Sequence, residues 1–397
     1  MSNHKTPSIR FKGFTDDWEQ RKLGNVIEIA YQGINTTADK VEYVSEGVPI
    51  LQGKHITSGK IDYKDVRYLD KEKYESVYYP KYVPKVNDIL LANIGTIGPL
   101  VVMKPGVELL IAWNIMLIRL NKMGDVKFVK VFLDKLNNSN FYESIMRGNA
   151  TKFINKDGIM SIEIPYPTIC EQEKIGAWFE QLDNLITLHQ RKYEKLVNVK
   201  KSMLDKMFPK NDFKVPEIRF KGFTDDWEQR KLGDVATFIN GRAYSQPELL
   251  SSGKYKVLRV GNFYTNDSWY YSDLELGEKY YADYGDLLYT WSATFGPHIW
   301  LGDRVIYHYH IWKIDLSNQL EKQFAVQLLE QDKANILSSK NGSTMVHITK
   351  EGMEQKDVII PPSTKEQQEI GAFFQQLDNL ITLHQRECKG WRKNGRI

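Results

Sequence analysis

The chain has few cysteines and no long hydrophobic segment, and both absences exclude classes of protein. Cys170 and Cys388 are its two cysteines, too few for the disulfide framework of a small secreted protein. No run of eighteen apolar residues is present, so the sequence predicts no transmembrane helix. Its first residues, MSNHKTPSIRFKG, lack the apolar segment of a secretion signal. We therefore expect no membrane association and a reducing, cytoplasmic location.

Motifs for catalysis and cofactor binding are missing as well. The sequence has no HExxH, no paired CxxC, and no Asn-Pro-Pro-aromatic or Asp-Pro-Pro-aromatic tetrapeptide of amino-methylating enzymes. The segment GVPILQGKH at 47–55 has five residues between its glycines where a phosphate-binding loop needs four, and NIGTIG at 93–98 lacks the third glycine of a dinucleotide fingerprint. We expect a chain that is not an enzyme, with no metal site and no cofactor of its own.

The net charge of +4 is too small to indicate a nucleic-acid binder by itself. The basic excess is local, with eight Lys or Arg against three acidic residues over 191–214, and five against one from 386 onward. Such runs are usually solvated helix faces. Charge is therefore compatible with nucleic-acid binding but does not indicate it.

What the chain does contain is a duplicated pair of segments. PSIRFKGFTDDWEQRKLGNV at 7–26 returns at 216–235 with eighteen of twenty positions identical, and we call this the N-terminal repeat. EQEKIGAWFEQLDNLITLHQR at 171–191 returns as EQQEIGAFFQQLDNLITLHQR at 366–386, and we call this the helical repeat. The central segments between them share almost no residues. We interpret the repeats as one scaffold or partner-binding role used twice, and the central segments as two different ligand-binding faces. A recent duplication with relaxed central segments is the alternative.

Each helical repeat predicts a long helix with an apolar seam. Thr168 and Glu171 have the spacing of a capping box at its start. Ser363 and Glu366 have the same spacing. Apolar positions then recur in steps of four and three, as in a heptad pattern. The seam residues are Ile175, Phe179, Leu182, Ile186 and His189 in the first helix, and Ile370, Phe374, Leu377, Ile381 and His384 in the second. We interpret the two histidines as register-setting residues, because neither has a second histidine at ligand spacing.

These patterns predict an α+β fold, with two mixed α/β domains in a tandem pseudo-twofold repeat separated by two long antiparallel, coiled-coil-like helices. The domains are predicted at 1–168 and 211–363, and the spacer helices at 169–210 and 364–397. A helix from 171 to 208 would span roughly 57 Å, more than the roughly 34 Å of one DNA turn.

Both central segments predict the same order of elements. Strands are expected at 88–93, 109–120 and 159–164 with a helix at 126–145, and at 286–290, 305–316 and 357–360 with a helix at 323–337. The same order of elements with different residues predicts that the two domains share one fold but present two different surfaces. The aromatic cluster at 269–284 is interpreted as packing rather than as a base-stacking platform, and its members are Trp269, Tyr270, Tyr271, Tyr280, Tyr281 and Tyr284.

Turns in the central segments mix amide, hydroxyl, basic and aromatic side chains, which are groups that reach base edges and phosphates. Ordinary solvated loops share this composition, and that interpretation stays open. The candidate DNA-binding residues are Gln52, Lys54, His55, Asn93, Thr96, Lys152 and Asn155 in the first segment, and Arg259, Asn262, Trp291, Ser292, Thr294, Ser343, Thr344 and His347 in the second.

Taken together, the motifs resemble the DNA specificity subunit of type I restriction and modification systems. The first copy carries Trp18, Leu23 and Gly24, then 87–90 with Gly95 and Gly98, and closes on Pro-x(3-4)-Glu-Gln-x-x-Ile-x-x-x-aromatic-x-x-Leu-Asp. The matching residues of the second copy are Trp227, Leu232, Gly233, 285–288, Gly296, Pro362, Glu366, Gln367, Ile370, Phe374, Leu377 and Asp378.

The resemblance implies a target recognition domain in each central segment, each reading one half of a bipartite, asymmetric site in double-stranded DNA, with the helices setting the gap. It implies two methyltransferase subunits docked on the repeated parts, and restriction/translocase subunits joined to that core. S-adenosylmethionine, ATP and magnesium would belong to those partners. A tandem coiled-coil scaffold that binds proteins rather than specific DNA is the alternative, and a nuclease would need acidic metal-binding pairs that we do not locate.

The two copies differ after Arg386. The first helix continues as KYEKLVNVKKSMLDKMFPK, whereas the second reads ECKGWRKNGRI, with two glycines that disfavour a helix. We expect the second helix to be about two heptads shorter. Weaker or lopsided assembly with the methyltransferase subunits is the expected consequence, and native mass spectrometry showing two equally bound copies would contradict it.

Overall fold

The computed structural model describes residues 7–57, 59–78, 82–210, 213–264, 266–292, 294–338 and 348–394. The chain divides into two compact units, which we call unit 1 (residues 1–188 and 388–397) and unit 2 (residues 189–387). Among the described helices, none combines the length and the apolar character that a bilayer span requires.

Unit 1 is a mixed α/β structure. Its strands are β1 (Glu19–Lys22), β2 (Ile27–Gln32), β3 (Val48–Leu51), β4 (Ile56–Thr57), β5 (Lys60–Ile61), β6 (Arg67–Leu69), β7 (Ile89–Ile94), β8 (Thr96–Val102), β9 (Leu110–Ile111), β10 (Ile115–Leu120) and β11 (Glu163–Tyr166). Its short helices are α1 (Lys71–Lys73), α2 (Val126–Asn138) and α3 (Lys156–Met160). The main sheet has the order β2-β10-β7-β8, β3 lies between β6 and β9, and β1 pairs with β11.

Unit 2 repeats this architecture. Its strands are β12 (Glu228–Lys231), β13 (Ala236–Asn240), β14 (Tyr255–Leu258), β15 (Tyr270–Ser272), β16 (Tyr281–Ala282), β17 (Leu287–Thr290), β18 (Gly296–Ile299), β19 (Val305–Tyr307), β20 (Ile311–Leu316) and β21 (Asp357–Ile360). Its short helices are α5 (Leu232–Val235), α6 (Lys322–Ser338) and α7 (Lys350–Glu354). The sheets are β13-β20-β17-β18, β15-β14-β19-β16 and β12-β21. The predicted pair of mixed α/β domains with one topology is confirmed.

Both predicted long helices are present, as α4 (Ile169–Lys206, 38 residues) and α8 (Thr364–Asn394, 31 residues). Over the described residues α8 is therefore shorter by about one heptad and not by the two that were predicted. In unit 2 the last part of α4 runs antiparallel to α8, because His189 contacts His384 while Lys200 contacts Asp378. Of the seam residues, Ile370, Phe374 and Leu377 are buried in the core of unit 2, Ile175 packs on the core of unit 1, and Phe179, Leu182, Ile186, His189, Ile381 and His384 are partly buried.

Four of the predicted elements are wrong in part. The single strands predicted at 109–120 and 305–316 are each two strands, because β9 and β19 pair in parallel with β3 and β14, whereas the following strand joins the main sheet. The chain changes sheets at the turn between them. Residues 159–164 include the end of α3 before β11 begins. The helix predicted at 126–145 ends at Asn138, near the left-handed residue Asn140 (φ 57°).

The aromatic cluster at 269–284 packs in part, as predicted. Trp269 and Tyr270 pack against buried clusters and Tyr281 is itself buried. Tyr284, by contrast, is 74% exposed. Packing therefore accounts for three of these rings but not for Tyr284.

Candidate nucleic-acid interface

The two repeats meet at one junction in each unit. In unit 1, the guanidinium of Arg10 donates from Nε and Nη2 to the carboxylate of Glu171, at 2.6 and 2.8 Å. Trp18 donates from Nε1 to the same carboxylate at 3.2 Å. Glu171 is fully buried. A charge-assisted bidentate pair of this kind fixes direction as well as distance, so it holds the start of α4 against the N-terminal repeat.

The same junction recurs in unit 2. Arg219 donates to Glu366 at 2.7 and 2.9 Å, and Trp227 Nε1 donates to it at 3.2 Å. The carboxylate half of both predicted capping boxes is therefore wrong, and the Glu171 N–H donates to the backbone carbonyl of Thr168. The hydroxyl of Ser363 does accept from the Glu366 N–H, at 3.4 Å, but both carboxylates are taken by the distant Arg and Trp.

The next residues of the helical repeat attach each long helix to its domain. Gln172 accepts from the Asp125 N–H at 3.0 Å, and Gln367 accepts from the Glu321 N–H at 2.8 Å. One turn later, a Cβ on Gly371 would lie 2.9 Å from the Phe324 nitrogen. Since contacts of that length are excluded by sterics, only glycine permits this approach of α8 to α6. The repeated residues thus build a rigid frame.

In unit 1, the three loops that carry the predicted DNA-binding residues lie side by side at one edge. A Cβ on Gly53 would lie within 3.4 Å of both Asn114 and Ala92. The hairpin turn at Gly95 donates its N–H to the Lys152 carbonyl at 3.0 Å. The loops that carry Gln52, the β7–β8 hairpin and Lys152 are therefore neighbours, although they are far apart in sequence.

The seven predicted residues at this edge differ in exposure and in role. Lys54, Thr96 and Lys152 are exposed, and Gln52 is partly buried at the end of β3. A lysine reaches phosphates as a point charge, whereas glutamine matches adenine with two hydrogen bonds. The geometry is compatible with contacts of both kinds.

The remaining three predicted residues of unit 1 serve the fold. Asn93 is fully buried and donates from Nδ2 to the Ile154 carbonyl at 2.9 Å. His55 is 3% exposed, and its Nδ1 accepts from the Gln52 N–H at 3.0 Å; burial lowers the pKa of this imidazole. Asn155 caps α3 through the Gly158 N–H. Their DNA-binding role stays a prediction that this geometry does not support.

Unit 2 places Arg259 at the position that Gln52 occupies in unit 1. Each follows a strand whose last residue pairs in parallel, Leu51 with Ile111 and Leu258 with Tyr307. The guanidinium of Arg259 lies 4.2 Å from the centre of the Tyr270 ring. Its Nε is buried without a hydrogen-bond partner among the described residues. Within the part of the chain that the structure describes, Arg259 is therefore held by stacking on Tyr270, and no carboxylate pairs with it.

Some of the neighbouring predicted residues of unit 2 hold the loops through hydrogen bonds, and others are at least partly exposed to solvent. Asn262 accepts from the Arg259 N–H at 3.0 Å and donates to the carbonyls of Asn266 and Ser268, so it shapes the loop. Trp291 donates from Nε1 to the Tyr309 carbonyl at 2.9 Å. Ser292 is partly buried and Thr294 is exposed. Ser343, Thr344 and His347 lie outside the described residues.

The turn between β19 and β20 also lies next to these loops, and no sequence pattern indicated it. His308, Tyr309 and His310 form it, with His308 and Tyr309 ring centres 4.4 Å apart. Burial lowers the pKa of His308 to about 4, so this imidazole is neutral at pH 7 and offers hydrogen bonds rather than charge. The equivalent turn of unit 1 presents Trp113, which is 42% exposed. These residues were hidden inside two apolar runs predicted as continuous strands.

Comparison with known proteins identifies the family. Residues 15–198 and 224–389 each match the family described as type I restriction modification DNA specificity domain. Two Methanocaldococcus jannaschii proteins, named as the MjaX and MjaVIII type I restriction enzyme specificity subunits (the first name provisional), are 25% identical to this chain. The alignments cover 94% of this chain and 89% and 88% of those proteins. These relatives are named for specificity and not for catalysis, in agreement with the prediction that the chain is not an enzyme.

Solved structures share the fold. A crystal structure of the S subunit of a type I restriction-modification system from M. genitalium has a TM-score of 0.65 and 14% identity, covering 98% of this chain and 96% of that one. A chain from a study of complex assembly and conformational transition of the type I R-M system has a TM-score of 0.55 and 16% identity, covering 98% and 97%. With two matched specificity domains that span most of its length, the chain belongs to the type I restriction modification DNA specificity family.

Proposed function

We propose that the chain is the DNA sequence-recognition subunit of a type I restriction-modification complex, in which each unit reads one half of a bipartite, asymmetric target. The observation that carries the proposal is the pair Gln52 and Arg259. They occupy the same position in two domains of the same topology, and each domain has the same Arg–Trp–Glu junction. They differ in the base that each side chain can recognise. Glutamine pairs with adenine and arginine with guanine in the major groove. One domain structure that occurs twice and carries different residues at this edge fits a target with two different half-sites.

The proposal is tested by footprinting the chain together with its methyltransferase subunits on random-sequence DNA. Protection of one split sequence, with a modified adenine in each half, is the expected result. A protein-binding scaffold would instead give DNA binding that weakens with salt and has no sequence preference. S-adenosylmethionine, ATP and magnesium are assigned by this proposal to the methyltransferase and restriction/translocase subunits.

Replacing Arg259 with alanine should relax one half-site. Loss of a bidentate base contact reduces discrimination by about 1–3 kcal/mol, and the half-site read by unit 1 should be unchanged. Selection of bound sequences by high-throughput sequencing measures both halves at once. Arg304→Ala is the matched control, because Arg304 also stacks at 4.2 Å, on Tyr281, but is paired with Glu278 and Asp283. A uniform loss over both halves would show that Arg259 only contacts phosphates.

The helical repeats supply a matching surface for two copies of one partner, the proposed methyltransferase subunits. Leu185 and Leu188 of α4 are 39% and 47% exposed, and their counterparts Leu380 and Leu383 of α8 are 44% and 49% exposed. Identical exposed apolar residues in both copies fit identical partners. The gap between half-sites would then be set by the long helices, as the resemblance implies.

Replacing Leu185 and Leu188 together with lysine should weaken the binding of one methyltransferase copy and leave the other bound. Each buried leucine contributes about 1.5–3 kcal/mol at an interface, so the expected loss is roughly a hundredfold or more. Native mass spectrometry of the complex gives the stoichiometry. Val197→Lys is the control, since Val197 is 38% exposed on the same helix but is outside the repeat. Equal loss with Val197→Lys would contradict the assignment.

A further inference from the structure

Two histidines and a carboxylate converge where α4 and α8 meet in unit 2. The Nδ1 atoms of His189 and His384 are 2.9 Å apart. Glu387 Oε2 lies 2.6 Å from the Nδ1 of His189 and 3.3 Å from that of His384. All three side chains are partly shielded, with 17%, 14% and 34% of the side chain exposed for His189, His384 and Glu387. The three atoms form a small triangle of possible metal ligands.

Hydrogen bonds alone do not satisfy this triangle. A neutral imidazole nitrogen either donates one proton or accepts one, so the Nδ1 of His189 bonds to His384 or to Glu387 but not fully to both. Glu387 Oε2 is buried and makes no hydrogen bond of acceptable geometry within the described residues. Three possible ligand atoms this close together are instead an arrangement that a cation stabilises.

We propose that His189, His384 and Glu387 bind a divalent transition metal ion of the zinc class, with solvent as the fourth ligand. Imidazole nitrogen with carboxylate oxygen suits zinc, whereas magnesium and calcium prefer oxygen ligands. Ligand distances of about 2.0–2.2 Å in a tetrahedral site place the ligand atoms roughly 3.3 Å apart. The observed separations of 2.6 to 3.3 Å require only a small opening of the triangle. The exposed side of Glu387 leaves room for the solvent ligand.

No local metal-binding motif marks this site, because its ligands come from distant parts of the chain. His189 and His384 are the same residue of the helical repeat, 195 positions apart, and antiparallel pairing brings them face to face. The carboxylate is present on one side only, because the counterpart of Glu387 in the first copy is Lys192. Each copy of the helical repeat thus supplies one histidine, whereas the carboxylate ligand comes only from the residue that follows the second copy. The bound ion would join α4 to α8 and so stabilise their pairing.

The test uses the full chain without a histidine tag, freed of metal with a chelator and titrated with Co²⁺ and then Zn²⁺. One Co²⁺ per chain with the visible absorption of tetrahedral cobalt is expected, together with displacement by one equivalent of Zn²⁺ and a raised melting temperature. Glu387→Gln should weaken binding by about tenfold or more. Glu194→Gln is the control, because Glu194 is an exposed carboxylate of α4 that pairs with Gln190.

A second variant separates loss of metal from loss of folding. His384→Leu places an apolar residue in the seam, so this variant should fold and melt at or above the temperature of the metal-free chain while binding no Co²⁺. Absence of the tetrahedral spectrum in the unmodified chain, or equal Co²⁺ binding by His384→Leu, would overturn the proposal. Neither readout involves DNA, so failure here leaves the proposed recognition function unaffected.

Discussion

Replacing Glu366 with alanine is expected to lower the free energy of unfolding by about 3–5 kcal/mol, the cost of removing one partner of a buried ion pair. Glu366 is 1% exposed and accepts three hydrogen bonds, two from Arg219 and one from Trp227. Alanine would leave the guanidinium, whose side chain is only 11% exposed, with the Asp225 carbonyl as its one remaining acceptor among the described residues. The Trp227 N–H would lose its partner as well. Most of the expected cost comes from leaving buried polar groups without hydrogen-bond partners, and not from losing the attraction between the two charges.

Urea unfolding of the full chain, followed by tryptophan fluorescence, measures the effect, since Trp227 reports directly on this junction. Glu171→Ala makes the same change in unit 1 and should cost less, because Trp18 is partly exposed and water reaches its N–H. Glu228→Ala removes the exposed pair with Arg230, whose side chains are 47% and 43% exposed, and should cost about 1 kcal/mol or less. A Glu366→Ala cost no larger than that of Glu228→Ala would show that the junction contributes little.

The junction also shows where prediction from sequence stops. Ser363 and Glu366 have capping-box spacing, and the hydroxyl half of that prediction is confirmed. The carboxylate half fails because Arg219 lies 147 residues away, beyond any local pattern. The repeats contained the missing signal, since Arg, Trp and Glu recur together in both copies. Shared recurrence of distant polar residues indicates a contact that periodicity does not.

Residue composition predicted which turns lie at the surface, because polar turns are usually solvated, and Lys54, Thr96 and Lys152 are exposed. Composition did not separate side chains that face solvent from those that satisfy the backbone. Asn93 is buried only because β7 meets the chain at Ile154. Burial of a polar group depends on such long-range contacts.

Replacing Phe374 with alanine is expected to destabilise unit 2 by about 3–5 kcal/mol, the usual cost of emptying a buried phenylalanine site. Phe374 is fully buried. Its ring centre lies 6.3 Å from that of Phe208, which in turn stacks on Phe324 at 5.4 Å. The helical repeat, the end of α4 and the central domain therefore share one aromatic core, and the cavity would open where all three meet.

Phe179 provides the internal control, because it is the same residue of the helical repeat in unit 1. It is only partly buried and lies beside Trp178, which is 46% exposed. Phe179→Ala should therefore cost less than half as much, in the same urea titration. Equal costs would mean that the stability contributed by this phenylalanine depends on the helical repeat itself and not on the residues packed around it. An unequal result would show that the same repeated residue contributes differently in the two copies, because among the described residues Phe208 packs against Phe374 and not against Phe179.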